Sequence, residues 1–240
     1  MFENSLSLVT GAASGLGLAV TQQLAAAGSR VLALDLNAPP NLSEVEFIEC
    51  DVSDPQAWQI VADRIKAQGA LNYVHLNAGI QIAPVNAPLS EYQFENMQLE
   101  RYRKMMGVNV DGVVFGLQSL LPLMPSGGAV VVTSSLAGVT PYAVDPLYAM
   151  SKHAVSGLVR SLAEPLSAKS ISISALCPGG IDTAIIPEAQ RTDKAVFMRP
   201  EHVAGEVLEL FKPSETGKTW AKVSEAKPAF IIRAPGDKQR

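Results

Sequence analysis

The feature that most constrains this 240-residue chain is a regular alternation of short apolar runs with longer amphipathic stretches. Residues 6–10, 31–35, 47–50, 73–77, 129–134 and 171–177 are apolar or β-branched runs of strand length. Residues 15–27 instead place Leu16, Ala19, Val20 and Leu24 on one helical face, with Gly28 as a stop. Asp54 followed by Pro55 is an N-cap and first-turn pair that opens a helix to about residue 68. Further helices are predicted over roughly 92–121, interrupted around Gly107, and over 147–168 and 200–211, with a last strand-like run at 229–233. The all-apolar run 129–134 predicts a strand buried on both faces. Strand–helix alternation of this kind predicts an α/β fold: a doubly wound parallel sheet with helices on both faces, joined by right-handed crossovers. Such a sheet places ligands at the carboxyl ends of its strands.

Composition narrows the function classes. The net charge of −4 gives no electrostatic footprint for nucleic acid. Basic residues on helical stretches, such as Arg64 with Lys66 or Arg101 with Arg103 and Lys104, are read as solvated faces. Cys50 and Cys177 form neither a disulfide framework nor a metal motif, which suits a reducing cytoplasm. The chain passes from Met1 almost directly into a strand, without a charged leader segment, and no uninterrupted apolar run reaches membrane-span length. No linker, repeat or charge block divides it, so residues 1–240 are read as one domain with a polar tail at 234–240.

Thr10-Gly11-Ala12-Ala13-Ser14-Gly15-Leu16-Gly17 joins the first strand to the first helix. Glycines let the backbone turn sharply and approach a pyrophosphate, and the helix start adds free N–H groups and a positive dipole end. The spacing G-x-x-x-G-x-G is neither the G-x-G-x-x-G fingerprint nor a P-loop. An ordinary tight turn is the alternative; the position between strand and helix favours a ligand. Asp35 closes the second strand, 18 positions after Gly17. An acidic residue there can accept from a ribose 2′-hydroxyl and repels a 2′-phosphate, while Leu36 and Asn37 offer no arginine for that phosphate. NAD is therefore expected rather than NADP, the alternative for Asp35 being a role in the turn with Asn37, Pro39 and Pro40.

Tyr148 and Lys152 lie four apart on one predicted helix and share a face. A phenol is a poor base near neutral pH, and a neighbouring ammonium stabilises its phenolate. Alone, the pair reads better as an exposed helix pair. Together with the motifs around it, the pair gives the chain a resemblance to the short-chain dehydrogenase/reductase family over nearly its whole length. The matching segments are T-G-A-A-S-G-L-G at 10–17, Asp35, D-V at 51–52, N-A-G at 77–79, V-N at 108–109, S-S at 134–135, Y-A-M-S-K at 148–152 and P-G-G-I-D-T at 178–183, in the family's order and near its spacing.

The resemblance implies a single-domain Rossmann fold and a role for each matching residue. Gly11, Ser14, Gly15, Leu16 and Gly17 would form the phosphate-binding turn, with Asp35 and Leu36 at the ribose. Asp51 and Val52 would flank adenine, and Asn77, Ala78 and Gly79 would line the cofactor near adenosine and ribose. Pro178, Gly179, Ile181 and Thr183 would pack around the nicotinamide. Ser135 would hold the substrate oxygen, Tyr148 would exchange its proton, and Lys152 would hold the ribose and depress the tyrosine. Asn109 would anchor a water in a proton relay. Ser134 is assigned to backbone satisfaction.

The variable substrate loop of the family corresponds to about 184–200. Ile80, Gln81, Ile82, Leu136, Tyr142 and Val144 are further pocket candidates, mostly apolar and with no Arg or Lys among them. A hydrophobic ketone or secondary alcohol is expected as the small-molecule substrate. A dihydrodiol or hydroxyacyl thioester is an alternative within enzymes, and a catalytically silent dinucleotide-binding regulator is the alternative outside them. His75, His153 and His202 are scattered and read as structural or surface residues; no metal is expected. No G-x-S-x-G elbow supports hydrolysis. The C-terminal segment lacks the V-D-G-G-like ending of many relatives, which leaves the last strand open. A homodimer or homotetramer is implied, contacting through helices 92–121 and 148–168.

Overall fold

The computed structural model describes residues 1–40, 42–193, 195–212 and 215–233. The polar tail 234–240 lies outside the described residues. The chain forms β1 (Leu6–Thr10), α1 (Gly15–Ala26), β2 (Arg30–Asp35), β3 (Val45–Glu49), α2 (Pro55–Gln68), β4 (Tyr73–Leu76), α3 (Leu99–Met106), α4 (Gly112–Leu120), β5 (Ala129–Thr133), α5 (Pro146–Ser161), α6 (Ala163–Ser167), β6 (Ser172–Pro178), α7 (Pro200–Leu210), β7 (Lys218–Lys222) and β8 (Phe230–Ile232). The strands make one sheet in the order β3-β2-β1-β4-β5-β6-β7-β8. All neighbours pair in parallel except β7 with β8. This is the expected doubly wound fold, and its strand order reverses between β1 and β4.

Two-residue periodicity divides the core. Val130 and Val132 face a cluster with Leu6, Leu8 and Trp58, whereas Ala129 and Val131 face a second cluster with Val9, Val20 and Val203. The first is covered by α2, α4 and α5, and the second by α1 and α7. Asp54 caps α2 as expected, accepting from Gln56 N–H at 2.8 Å, with Pro55 at the first helical position.

Three elements differ from expectation. The helix expected from 92 begins at Leu99; residues 89–96 form two 3₁₀ turns instead, with Tyr92 buried and its hydroxyl donating to the Pro84 carbonyl at 2.5 Å. The interruption at Gly107 is a π-turn, Gly107–Asp111, between α3 and α4. The run Leu99–Leu123 is by length and composition long and apolar enough to cross a membrane, although Arg, Lys and Asp punctuate it. Here it packs beside α2 and α5. The helix expected over 147–168 breaks at Leu162.

The remaining difference is β7, which was not expected. Its pattern Lys-Thr-Trp-Ala-Lys looks solvated, yet Lys222 is 1% exposed. Its ammonium donates to the Glu206 carboxylate of α7 at 2.5 Å and to the Lys227 carbonyl at 2.7 Å. A buried cation is tolerated only with such partners. Glu206→Ala leaves that ammonium without a counter-charge. It is expected to lower unfolding free energy by about 3 kcal/mol in urea denaturation.

Candidate active site

The carboxyl ends of β1, β4, β5 and β6 surround a cavity of about 1160 Å³. Its floor is built at the strand reversal. Thr10 Oγ1 accepts from Asn77 N–H at 2.8 Å and Ala78 N–H at 3.0 Å, so one hydroxyl aligns the end of β1 with the N-A-G segment after β4. Above it the glycine turn is cut for close approach. Gly11 has φ +66°, and a Cβ on Gly17 would lie 2.0 Å from the Gly11 carbonyl oxygen. Ser14, Gly15 and Leu16 line the cavity, whereas Gly17 lies behind it and lets the helix sit against the turn.

Asp35 also lines the cavity, and it supports the turn as well. Its Oδ2 accepts from Ala13 N–H at 3.0 Å and its Oδ1 from Asn37 N–H at 3.1 Å. A carboxylate has about four lone-pair sites, so both readings of this residue are compatible. Leu36, Asp51, Val52, Asn77, Ala78 and Gly79 continue that wall, and Pro178, Gly179, Ile181 and Thr183 form the opposite one. Gly179 N–H donates to the Lys222 carbonyl at 2.8 Å, so β7 fixes the P-G turn. This open, glycine-lined cleft with helix N–H groups at one end and a carboxylate at the next strand end fits an extended dinucleotide.

The reactive side chains meet at the other end. Asp145 caps α5, whose first turns carry Tyr148 and Lys152. Tyr148 is 8% exposed, and the Tyr142 ring stands edge-on to it with centroids 6.2 Å apart. Burial pushes the phenol well above its usual range, while the nearby Ser135 hydroxyl pulls it down. Ser135 also accepts from Ala137 N–H at 3.1 Å, which holds its side chain at the end of β5. Ser134 faces away: its hydroxyl donates to the Lys152 carbonyl at 3.0 Å and pairs with Ser156, the structural role expected.

Lys152 lies beside the tyrosine. Its Nζ lies 5.7 Å from the Tyr148 ring centroid and donates to the Thr133 carbonyl at 2.9 Å. Burial pushes it down to about 8. Desolvation is the largest influence on the protonation of both groups. Asn109, fully buried, is aimed inward by the π-turn. Its amide accepts from Ile80 N–H at 2.8 Å and donates to the Ile80 carbonyl at 2.9 Å and to Ser151 Oγ at 3.0 Å. It sits behind Gly79 rather than on the cavity surface.

Ile80, Gln81, Ile82, Leu136 and Tyr142 line the cavity as expected. Val144 does not: it packs with Leu147 and Tyr92, and its carbonyl accepts from Gln93. The cavity rim does carry cations, Arg101 and Lys104, which α3 brings over it. Arg101 is paired with Glu91 at 2.6 Å. Sequence reading quoted Thr10 as the start of the glycine motif without its hydroxyl's role, and missed Thr133 and Asp145, whose side chains bond backbone or buried polar groups and carry no motif of their own. His75 donates from Nε2 to Thr133 Oγ1 at 2.8 Å, since that hydroxyl donates onward to Asn77 Oδ1 at 3.2 Å. Burial lowers His75 to about 3, so it stays neutral in the core.

Residues 6–194 match the model of the short chain dehydrogenase family, and the chain belongs to that family. It is an oxidoreductase of it. A 3beta-hydroxysteroid dehydrogenase of Mediterraneibacter gnavus is 32% identical over 217 residues, covering 85% of this chain and 75% of that protein. A 2,5-dichloro-2,5-cyclohexadiene-1,4-diol dehydrogenase of Sphingobium indicum is 30% identical, with 84% and 83% covered. The crystal structure of a short chain dehydrogenase from Burkholderia cenocepacia in complex with NADP aligns with TM-score 0.77 and 26% identity over 93% of this chain and 97% of that one.

The depressed lysine has a measurable consequence. Between about 8 and its ordinary 10.5, folded Lys152 binds fewer protons than unfolded Lys152. Its burial therefore costs stability fully below pH 8, and stability is regained as pH rises towards 10.5. Without cofactor, Lys152→Met is expected to raise the midpoint of thermal unfolding at about pH 7. Scanning calorimetry should show that gap closing as pH approaches 10.5.

Proposed function

We propose that this chain is an NAD(H)-linked dehydrogenase/reductase that interconverts an apolar secondary alcohol and its ketone. The observation that carries the reading is the convergence of Ser135, Tyr148 and Lys152 at one end of a cleft whose other end is the glycine turn with Asp35. A bound nicotinamide dinucleotide supplies or accepts the hydride. Gly11, Ser14, Gly15 and Leu16 would hold its phosphates, Asp35 and Leu36 its adenosine ribose, and Asp51, Val52, Asn77, Ala78 and Gly79 its adenosine side. Pro178, Gly179, Ile181 and Thr183 would hold the nicotinamide side.

The chain's own groups handle the oxygen and the proton. Ser135 and Tyr148 hydrogen-bond the substrate oxygen between them. Tyr148 gives its phenolic proton to a ketone oxygen during reduction and takes the hydroxyl proton during oxidation. Lys152, held by Thr133, orients the ribose and offsets phenolate charge once the site is filled. Asn109 holds the Ile80 backbone from behind the cleft and would anchor a water in a proton relay from Lys152 to solvent. The wall of Ile80, Ile82, Leu136, Ile185 and Phe197 excludes water and selects a hydrophobic ring or chain. The steroid-active relative is consistent with that shape. The chain acts as one catalytic unit with 184–200 as its substrate loop.

A hydroxylated ring is a second reading. Gln81 donates to the Ile185 carbonyl and leaves a buried Oε1 without a donor, and the Tyr142 hydroxyl bonded to Gln190 lies near it. A diol would find partners there, in keeping with the diol-active relative. Half-exposed Val114 on α4 and Met150 on α5 suit the helical contact surfaces of a dimer or tetramer. The buried, free Cys50 and Cys177 suit a reducing cytoplasm.

Purified protein assayed with NAD and NADP against steroid, alicyclic and dihydrodiol alcohols tests the reading. Turnover with at least one class is expected, and Tyr148→Phe is expected to lose about 1,000-fold in kcat/KM. A Tyr148→Phe enzyme as fast as the parent would sink the mechanism. Cofactor choice has its own test. Asp35→Ser with Leu36→Arg removes the repelling carboxylate and adds a phosphate partner. The kcat/KM ratio of NAD to NADP is expected to fall at least about tenfold.

A further inference from the structure

Asp145 is fully buried, and it does more than an N-cap requires. Asp54 shows what capping alone looks like: an exposed carboxylate with one oxygen on the N–H two residues ahead. Asp145 instead uses both oxygens. Oδ1 accepts from Tyr148 N–H at 2.8 Å, in the first turn of α5. Oδ2 accepts from Ile82 N–H at 2.9 Å, a group 63 positions away in sequence and on the cavity wall. Two positions before it, Ile80 is held through both its N–H and its carbonyl by Asn109. The wall segment 80–82 is thus clamped at one end to the π-turn and at the other to the catalytic helix.

We propose that Asp145 is a positioning residue for the reaction: its carboxylate locks Tyr148 and the substrate-facing segment 80–82 into one frame, so that phenol and substrate wall keep a fixed relative placement. The proposal rests on the reading of Tyr148 as acid/base. Burying an ion costs several kcal/mol unless its lone pairs are met; here N–H donors on both oxygens offset part of that cost, while burial still holds the carboxyl above its usual range. A neutral cap would have served the helix equally well, since Asn and Ser cap as effectively as Asp. What neither supplies is a second acceptor oxygen for Ile82.

A second effect follows from the charge. The ionisable groups around Asp145 are Tyr92, Tyr142 and Tyr148. Around Tyr148 they are Tyr142, Asp145 and Cys177, which hold its proton on, with the Lys152 ammonium over its ring. Removing the Asp145 charge eases ionisation of the phenol. In alcohol oxidation, which needs the deprotonated phenol, the acidic limb of the pH profile moves to lower pH.

Two variants separate placement from charge. Asp145→Asn keeps one acceptor and loses the charge: kcat/KM for substrate is expected to fall about tenfold or more, with the acidic limb about half a unit lower. Asp145→Glu keeps the charge and displaces it by one methylene: kcat/KM is expected to fall while the limb stays in place. Dinucleotide binding without substrate, followed by fluorescence, should stay within about twofold for both, because the clamp lies at the substrate end. Asp54→Asn serves as the cap-only control and is expected to leave the profile unmoved. The proposal is overturned if Asp145→Asn keeps kcat/KM within about twofold. It is equally overturned if cofactor affinity and thermal midpoint fall together while the limb stays put. Tyr148→Phe is run alongside: full activity there rejects the tyrosine reading itself, whatever Asp145 does. If Asp145→Asn does not fold, Asp145→Glu carries the test, and an unchanged kcat/KM in that variant overturns the proposal.

Discussion

The site depends on the hydroxyl of Thr10. At the point where the strand order reverses, β1 and β4 become neighbours although α1, β2, β3 and α2 lie between them in the chain. Their backbones separate beyond Leu76, and the next N–H groups lack a ladder partner. Thr10 Oγ1 accepts two of them. One side-chain oxygen therefore sets the distance between the glycine turn and the N-A-G segment, the two walls of the cleft. Everything further out inherits that distance: Gly79 against Lys152, Asn109 behind Gly79, and segment 80–82 beyond it. A valine at Thr10 would match the volume and leave two buried N–H groups unmet.

Burial governs the chemistry at the other end. Tyr148 and Lys152 are both driven towards their neutral forms by desolvation. On the reading proposed above, the protonated tyrosine is the proton donor, and the Lys152 ammonium is held by the Thr133 carbonyl. Placing charge near them has a large effect because little water screens it. Among the described residues, the carboxylate close to the phenol is Asp145, and its oxygens accept from backbone donors.

Much of this could be read from the chain alone, for identifiable reasons. Strands such as 129–133 are apolar because both faces are covered, and that pattern survives without any neighbour being known. The glycine turn, Asp35 and the Tyr148–Lys152 spacing are local, so sequence order preserves them. The misses are non-local. Lys222 looks like a surface residue until Glu206 arrives from another element. Asp145 looks like a cap until Ile82 is seen on its second oxygen. Arg101 and Lys104 belong to a helix whose start was placed seven residues too early, which hid their approach to the rim.

The carbonyl of Lys222 has one more consequence, in the order in which the chain becomes functional. It holds Gly179, so the P-G turn waits on a strand some 40 residues downstream that pairs only when the sheet is otherwise assembled. During synthesis the glycine turn and the tyrosine helix emerge well before that support. On the proposed reading, the wall that would hold the nicotinamide side is therefore the last part of the cleft to be completed. Cofactor binding then favours the finished sheet over its precursors, and the ligand acts as a late thermodynamic seal on folding.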